Sequence, residues 1–372
     1  MKPKQLPAPL LIIAALLLTS SAARPASGTN PAPASLKAAY GRWFPIGAAI
    51  EPNLSAAESQ LLAAQFSNVT SENCLKPANT EPREGVFTFQ KGDALIALAQ
   101  KYGLTVNAHN LVWHEACPDW FFQDGDQPAG RALVLRRMRH HIDQVAGHFR
   151  GKVASWDVVN EAISDNNREY LRTNKWLQAV GEDYVAEAFL EARKADPEAE
   201  LYYNDYQIER PAKRAKAMRL IQEIRARGGH VDGIGIQGHW TIKGPPLKDI
   251  EDSLIAFHAA GLKVMITELD LNVLPPLKKG TTASQAVDPY DQGCPPEILR
   301  REAEIYAQLF QLFRRQADKI GRVTFWNLHD GVSWLNWSHG QKRTNYPLLW
   351  DRQLRPKPAF DAVMAAAAEP NP

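Results

Sequence analysis

The sequence predicts an α/β chain closed into a single barrel of eight strands and eight helices, and three observations carry that expectation. Short β-branched or apolar segments alternate with longer segments of helical period eight times over, which implies parallel pairing through helical crossovers. About 335 residues follow the N-terminal leader with no Ser- or Pro-rich linker and no short internal repeat, a length that one closed barrel reaches. The competing open, doubly wound sheet needs a nucleotide fingerprint at a strand-helix turn, and none is placed there.

The strands, in order, are IGAAI (46–50), SNVTSE (67–72), LTVNAHN (104–110), VASWDVVNE (153–161), AELYYND (199–205), GIGIQGH (233–239), KVMITELD (263–270) and RVTFWNLHD (322–330). Ser55 and Glu58 form a capping box that opens the first helix, because the serine hydroxyl and the glutamate carboxylate can each satisfy a free backbone N–H. ALVLRRMRHHIDQVAGHF (132–149) repeats apolar residues every three to four positions. YVAEAFLEARKADP (184–197) stops at a proline, and AKRAKAMRLIQEIRARGG (212–229) stops at paired glycines. In the sixth strand, GIGIQG (233–238) matches Gly-x-Gly-x-x-Gly, but its glycines lie inside the strand. Pro245 and Pro246 then oppose the helix start that pyrophosphate binding requires. Those glycines are expected instead to let backbones approach closely in the barrel wall. No Walker loop, His-Glu-x-x-His or Gly-x-Ser-x-Gly occurs, so neither a cofactor nor a metal is expected.

Residues 1–23 have Lys2 and Lys4, an apolar stretch from Leu10 to Leu18 too short to span a bilayer, and the small residues Ser21-Ala22-Ala23. They are expected to be a signal peptide, followed by a flexible leader over 24–38 and one catalytic domain over 39–368. The protein is then secreted or periplasmic, with no membrane segment after cleavage. The chain has 43 basic and 41 acidic residues, and removal of Lys2 and Lys4 makes the two numbers equal. A balanced chain without a basic run is a poor partner for nucleic acid or an anionic membrane. Cys74, Cys117 and Cys294 are too few for a disulfide scaffold, leaving at most one bridge of unassigned pairing.

Chemistry in such a barrel sits at the C-terminal ends of the strands. Reading those ends gives Glu72, Asn73 and Lys76; His109, Asn110, Trp113 and His114; Asn160 and Glu161; Asn204 and Asp205; Gln237, His239 and Trp240; Glu268 and Asp270; then Trp326 and Trp334. A barrel selected only for stability would show Ser, Gly, Lys and Asp there. Amides and carboxylates pair with vicinal hydroxyls, and indole faces stack on the apolar faces of pyranose rings, so the composition points to a sugar. Ten tryptophans suit an extended polysaccharide, although Trp176 is assigned to core packing. Glu161 and Glu268 each end a buried strand, and strands four and seven are expected to face each other across the barrel mouth. Paired carboxyls of this kind hydrolyse glycosides, with retention at about 5–5.5 Å separation and inversion at about 6.5–9.5 Å. Sequence alone leaves that choice open.

The motifs WDVVNEA (156–162), ITELD (266–270), ENCLKP (72–77), HNLVWH (109–114), LYYNDY (201–206), GIGIQGHW (233–240) and FWNLHDGVSW (325–334) resemble glycoside hydrolase family 10. The order and spacing match from about residue 40 to 365. The resemblance implies a (β/α)8 TIM barrel and a monomeric retaining endo-β-1,4-xylanase acting on xylan and xylo-oligosaccharides. It implies Glu161 as general acid/base and Glu268 as nucleophile, with Asn160 on the sugar 2-hydroxyl, His239 orienting Glu268, and Asp270 holding His239. By the same resemblance Gln237, His109, Lys76 and Trp113 line the place of the reacting sugar, and Glu72 and Asn73 bind the next sugar. Trp326 and Trp334 roof both, and Tyr203 and Asn204 lie toward the leaving group. Asn110 and Ala108 depart from the family pattern, which has a small hydroxyl residue and glycine there. The loop 275–297 is of the kind that varies between members and is expected to shape the leaving-group side.

Overall fold

A computed structural model describes Met1 and residues 35–277, 287–340 and 342–369. Eight parallel strands close into a barrel: β1 (Ile46–Ile50), β2 (Asn68–Ser71), β3 (Thr105–Trp113), β4 (Ser155–Asn160), β5 (Glu200–Asp205), β6 (Gly233–Ile236), β7 (Lys263–Asn272) and β8 (Ile320–Phe325). Each pairs with its sequence neighbours, and β8 completes the ring by pairing with β1 through Ile46 opposite Val323. All eight predicted strands are therefore present. The largest boundary difference is β8, which ends at Phe325 where the expected strand ran to Asp330; β3 in turn runs on to Trp113 past a register irregularity between His109 and Val112. That extension aims the Trp113 side chain over the mouth.

The helices start and stop for local reasons. Ser55 Oγ accepts from Glu58 N–H while Glu58 Oε2 accepts from Ser55 N–H at 2.7 Å, so the predicted capping box opens Ala56–Gln65. The helix Pro211–Ala226 ends before Gly228, which is left-handed at φ 83°, a conformation that favours glycine. After β6, helix Leu247–Ala259 begins directly behind Pro246. The prolines do not prevent that helix, since a first-turn N–H has no partner to lose. They still leave its N-terminus nine residues beyond Gly238, so no dinucleotide turn exists. Gly233 and Gly235 are wall residues: a Cβ on Gly235 would sit 2.3 Å from Asn204 Oδ1 and 2.7 Å from Thr267 Cγ2.

A short helix, Leu36–Tyr40, is capped by Ser35, and Leu36 and Tyr40 are fully buried. The barrel domain thus begins by residue 35, and the boundary expected at 39 falls inside this helix. Residues 2–34, which include nearly all of the segment expected to be a signal peptide, and part of the 275–297 loop lie outside the described residues. All three cysteines are free thiols, so no bridge forms among them. Trp176 packs against Phe121 and Phe122, as core.

Closure between β8 and the last helix rests on one buried cation. Lys357 Nζ donates to Glu302 Oε1 at 2.9 Å, Asp330 Oδ1 at 3.3 Å, and the carbonyls of Tyr346 and Leu348. Replacing it strands two buried carboxyls without their cation. Lys357→Met is expected to lower the unfolding free energy by about 3–5 kcal/mol, read by chemical denaturation at neutral pH.

Candidate active site

Glu161 follows the last residue of β4 and sits in the left-handed region at φ 57°, unusual for a residue with a side chain. Three contacts hold it there. Its own N–H donates to Asn204 O at 2.9 Å, and the N–H groups of Ala162 and Ile163 donate to Tyr203 Oη at 3.0 and 3.1 Å. Tyr203 in turn donates to Asp205 Oδ2 at 2.6 Å. The turn therefore swings the carboxyl into the cleft, where Gln237 Nε2 donates to Oε1 at 2.8 Å and Trp113 Nε1 donates to Oε2 at 3.0 Å. Burial, and then the charge of Asp205, push this carboxyl up to about 7. The anion of Glu268 adds in the same direction as a smaller contribution.

Glu268 sits within β7 as that strand crosses the barrel mouth. Its Oε1 accepts from Asn204 Nδ2 at 2.7 Å, and its Oε2 lies 3.0 Å from His239 Nε2. His239 Nδ1 is 2.9 Å from Asp270 Oδ2, which also accepts from Trp334 Nε1 at 2.8 Å. Both nitrogens of His239 thus face carboxylates. Burial opposes its charge, but Asp270 and then Glu268 outweigh burial and lift the imidazole to about 10. Burial alone would raise Glu268; the hydrogen bond from His239 and the neighbouring positive charge outweigh it, so Glu268 falls below the ordinary carboxyl range. One cleft therefore holds a carboxyl that keeps its proton near neutrality and one that gives it up.

The two carboxyl-bearing strands are not diametrically opposed. They lie three steps apart around the ring, and β5 and β6 between them supply the connecting amides. Asn204 Nδ2 donates to Asn160 Oδ1 at 2.9 Å as well as to Glu268, and Gln237 lies 3.4 Å from the same Asn160 oxygen. Side chains of four consecutive strands form one hydrogen-bonded row.

Twelve of the fifteen site residues expected from sequence line one cleft of about 620 Å³. Glu72, Asn73 and Lys76 stand at one end, with Lys76 Nζ donating to Asn73 Oδ1 at 2.8 Å. Trp326 lies edge-on to His109, and the 41 % exposed Trp334 packs beside His239. The other three lie beneath. Asp270 and Asn204 support Glu268 from below, and Tyr203 is wholly buried with its hydroxyl committed to the Glu161 turn. The placement of Tyr203 and Asn204 toward the leaving group is thus corrected: Tyr203 points away from the cleft and braces the Glu161 turn, while Asn204, on the opposite face of β5, lies beneath the cleft and holds Asn160 and Glu268. Tyr206 lines the cleft.

Three further residues bear on the site. Asp205 was seen at its strand end without its effect on Glu161. Asp157, inside the WDVVNEA motif, lies 2.9 Å from His109 Nδ1 and fixes that ring. Glu51, directly after β1, was omitted although it too ends a strand. Among the described residues, His114, Glu115 and Glu161 bring ligand atoms within 4.8 Å of one another. Both oxygens of Glu161 are already engaged by N–H donors, an arrangement suited to proton exchange more than to metal ligation.

An acidic pair of opposite protonation at the C-terminal rim of a (β/α)8 barrel is the constellation of a glycoside hydrolase. The model of glycosyl hydrolase family 10 matches residues 35–366, and the chain belongs to that family. It is 39 % identical to an endo-1,4-β-xylanase of Geobacillus stearothermophilus, over 89 % of this chain and 98 % of that one. It is 38 % identical to a β-1,4-xylanase of Dictyoglomus thermophilum, over 88 % and 89 % of the two chains. The crystal structure of a Paenibacillus barcinonensis xylanase bound to a conduramine derivative superposes with a TM-score of 0.83 at 36 % identity, covering 90 % and 99 %.

Tyr203→Phe should orphan two backbone N–H groups and one Asp205 oxygen. We expect a loss of about 1–3 kcal/mol in unfolding free energy. We also expect a fall in kcat larger than any change in KM, because the Glu161 turn relaxes. Denaturation and steady-state kinetics read the two effects.

Proposed function

We propose that the protein is an exported endo-β-1,4-xylanase that cleaves internal xylosidic bonds with retention, by double displacement. The observation that carries this reading is one cleft, lined by amides and indoles, in which Gln237 and Trp113 donate to Glu161 while His239 and Asn204 hold Glu268. The xylanase names of the relatives support the substrate, and the character of residues 1–23 supports export.

In the first step the protonated Glu161 gives its proton to the glycosidic oxygen as ionised Glu268 attacks the anomeric carbon. His239, charged and held by Asp270, keeps one Glu268 oxygen fixed, and Asn204 fixes the other. Attack has to proceed from an oxygen whose hydrogen bond weakens as the new bond forms. Once Glu268 is esterified its charge is gone, so the pKa of Glu161 falls and the residue becomes a base for the incoming water. Asn160, placed by Asn204 and Gln237, is positioned to hold the sugar 2-hydroxyl. Trp326 and Trp334 leave little room at C5, which favours xylose over glucose.

Purified protein should hydrolyse xylan well ahead of carboxymethyl cellulose, and NMR of the first products should show the β-anomer. A preference for carboxymethyl cellulose would make it a glucanase; an α-anomer would make it inverting. Glu268→Ala should lower kcat at least about 10⁴-fold on every substrate. Glu161→Ala should slow xylan far more than the first step of an aryl xylobioside whose leaving group needs no proton.

The pH dependence follows from the two carboxyls. Activity on xylan should fall as pH rises through about 7, where Glu161 loses the proton it must donate, and at low pH as Glu268 gains one. Asp205→Asn removes a negative charge that favours the protonated form, so the alkaline limb of kcat/KM should move to lower pH. An unmoved limb would assign the Glu161 shift to burial and the Glu268 anion, without Asp205.

A further inference from the structure

The inner wall of the barrel is polar where such walls are usually filled by branched aliphatic residues. Asn68 and Thr70 on β2, Ser155 and Asp157 on β4, and Arg322 and Thr324 on β8 are all buried, and each pair stands two positions apart on one strand face. Trp156 and Phe325, from the alternate set, pack on Phe149 and Phe310 of the surrounding helices, so the polar set of β4 and β8 faces the barrel axis. Gly47 of β1 brings β2 into the same space. It pairs with Asn68 on one side and Thr324 on the other, and a Cβ on it would stand 2.8 Å from Asn68 Oδ1 and 3.1 Å from Thr324 Oγ1.

Part of this set satisfies itself. Asp157 Oδ2 accepts from Asn107 Nδ2 at 3.1 Å and from His109 Nδ1 at 2.9 Å, while His109 Nε2 accepts from Asn110 Nδ2 at 3.0 Å. The rest finds no partner among the described residues. Arg322 Nε and Nη2 are unpaired donors, and Asp157 Oδ1, Asn68 Oδ1 and the hydroxyls of Thr70 and Thr324 are unpaired as well. Polar groups left so at this depth are costly. Burial works against the Arg322 charge, and Tyr202, Asp157 and Glu200 favour it.

Donors and acceptors left over in one enclosed space call for a ligand that is both. An anion there would meet the Asp157 carboxylate, and a metal cation the Arg322 guanidinium. Water is uncharged, donates and accepts, and fills such places in protein interiors.

We propose that Arg322 is a positioning residue for the cleft: water molecules held by Thr70, Thr324 and Asn68 join its guanidinium to Asp157 Oδ1, and Asp157 in turn fixes the His109 ring. The kinetic part of this inference rests on the xylanase reading above; the water sites do not.

A crystal structure at atomic resolution tests the sites. Ordered waters should stand at about 2.7–3.2 Å from Arg322 Nη2, from Asp157 Oδ1 and from at least one of the two threonine hydroxyls. A dry interior, a direct Arg322–Asp157 pair, or an ion in that place would overturn the proposal.

A double-mutant cycle tests the coupling. Arg322→Met should lower kcat/KM on an aryl xylobioside about tenfold, the order expected for a lost hydrogen bond to a charged group. In a His109→Asn background the same change should cost less than about twofold, because the group it acts through is gone. Thr70→Val with Thr324→Val keeps side-chain shape and should repeat the pattern, which covers the case in which Arg322→Met does not fold. NMR of the His109 ring nitrogens should show the proton fixed on Nδ1 in the wild type and shared between both nitrogens in these variants. Equal losses in both backgrounds, or an unchanged His109 signal, would make Arg322 a structural residue only and overturn the proposal. A wild-type chain inactive on every xyloside would overturn the xylanase reading, and the crystal and NMR results would still decide this one.

Discussion

Two carboxyls share one buried cleft and must hold opposite protonation states. Most of the barrel mouth can be understood as the solution to that problem. Burial raises both pKa values, so the difference has to come from charged and hydrogen-bonding neighbours. Glu268 receives a charged imidazole and an amide N–H; Glu161 receives two neutral N–H donors and a nearby negative charge. Asp205 is the less obvious part of this device. It raises Glu161 more than Glu268 does, yet it never enters the cleft, and Lys213 balances it with a hydrogen bond of 2.9 Å.

The same row of residues fixes geometry. Asn204 bonds at once to the backbone of Glu161, the side chain of Asn160 and the carboxylate of Glu268. A parallel barrel makes this possible because consecutive strands deliver their ends at one level about the axis. Rigid supports of this kind hold catalytic groups more accurately than loops do. The left-handed turn at Glu161 costs backbone energy, offset by the Tyr203 hydroxyl accepting two N–H groups behind it.

Most of the architecture was legible in the sequence because strand-helix alternation and buried runs are local signals. The eight strands lie where their apolar runs lie, and the Ser55–Glu58 cap forms as its spacing suggests. The residues that line the cleft were legible for a related reason: a polar side chain ending an apolar strand contradicts its surroundings. What failed was depth. Tyr203 and Asn204 stand at a strand end, and only three dimensions show that neither lines the cleft: Tyr203 braces the turn at Glu161, and Asn204 holds Asn160 and Glu268 from beneath. Glu51 was missed because a lone carboxylate after a short strand has an ordinary surface explanation until its burial is known.

The sequence by itself determined the fold and the two carboxyls at the strand ends. It also excluded the dinucleotide reading of GIGIQG, since that motif needs a helix immediately after its glycines. Only the tertiary structure decided which carboxyl keeps its proton. Protonation depends on distances to Asp205, His239 and Gln237, residues 44, 78 and 76 positions from Glu161 in the chain, and no local pattern encodes such distances. It also decided that strands four and seven are joined through strands five and six. Glu161 and Glu268 are therefore coupled through Asn204, Asn160 and Gln237 instead of merely facing each other across a gap.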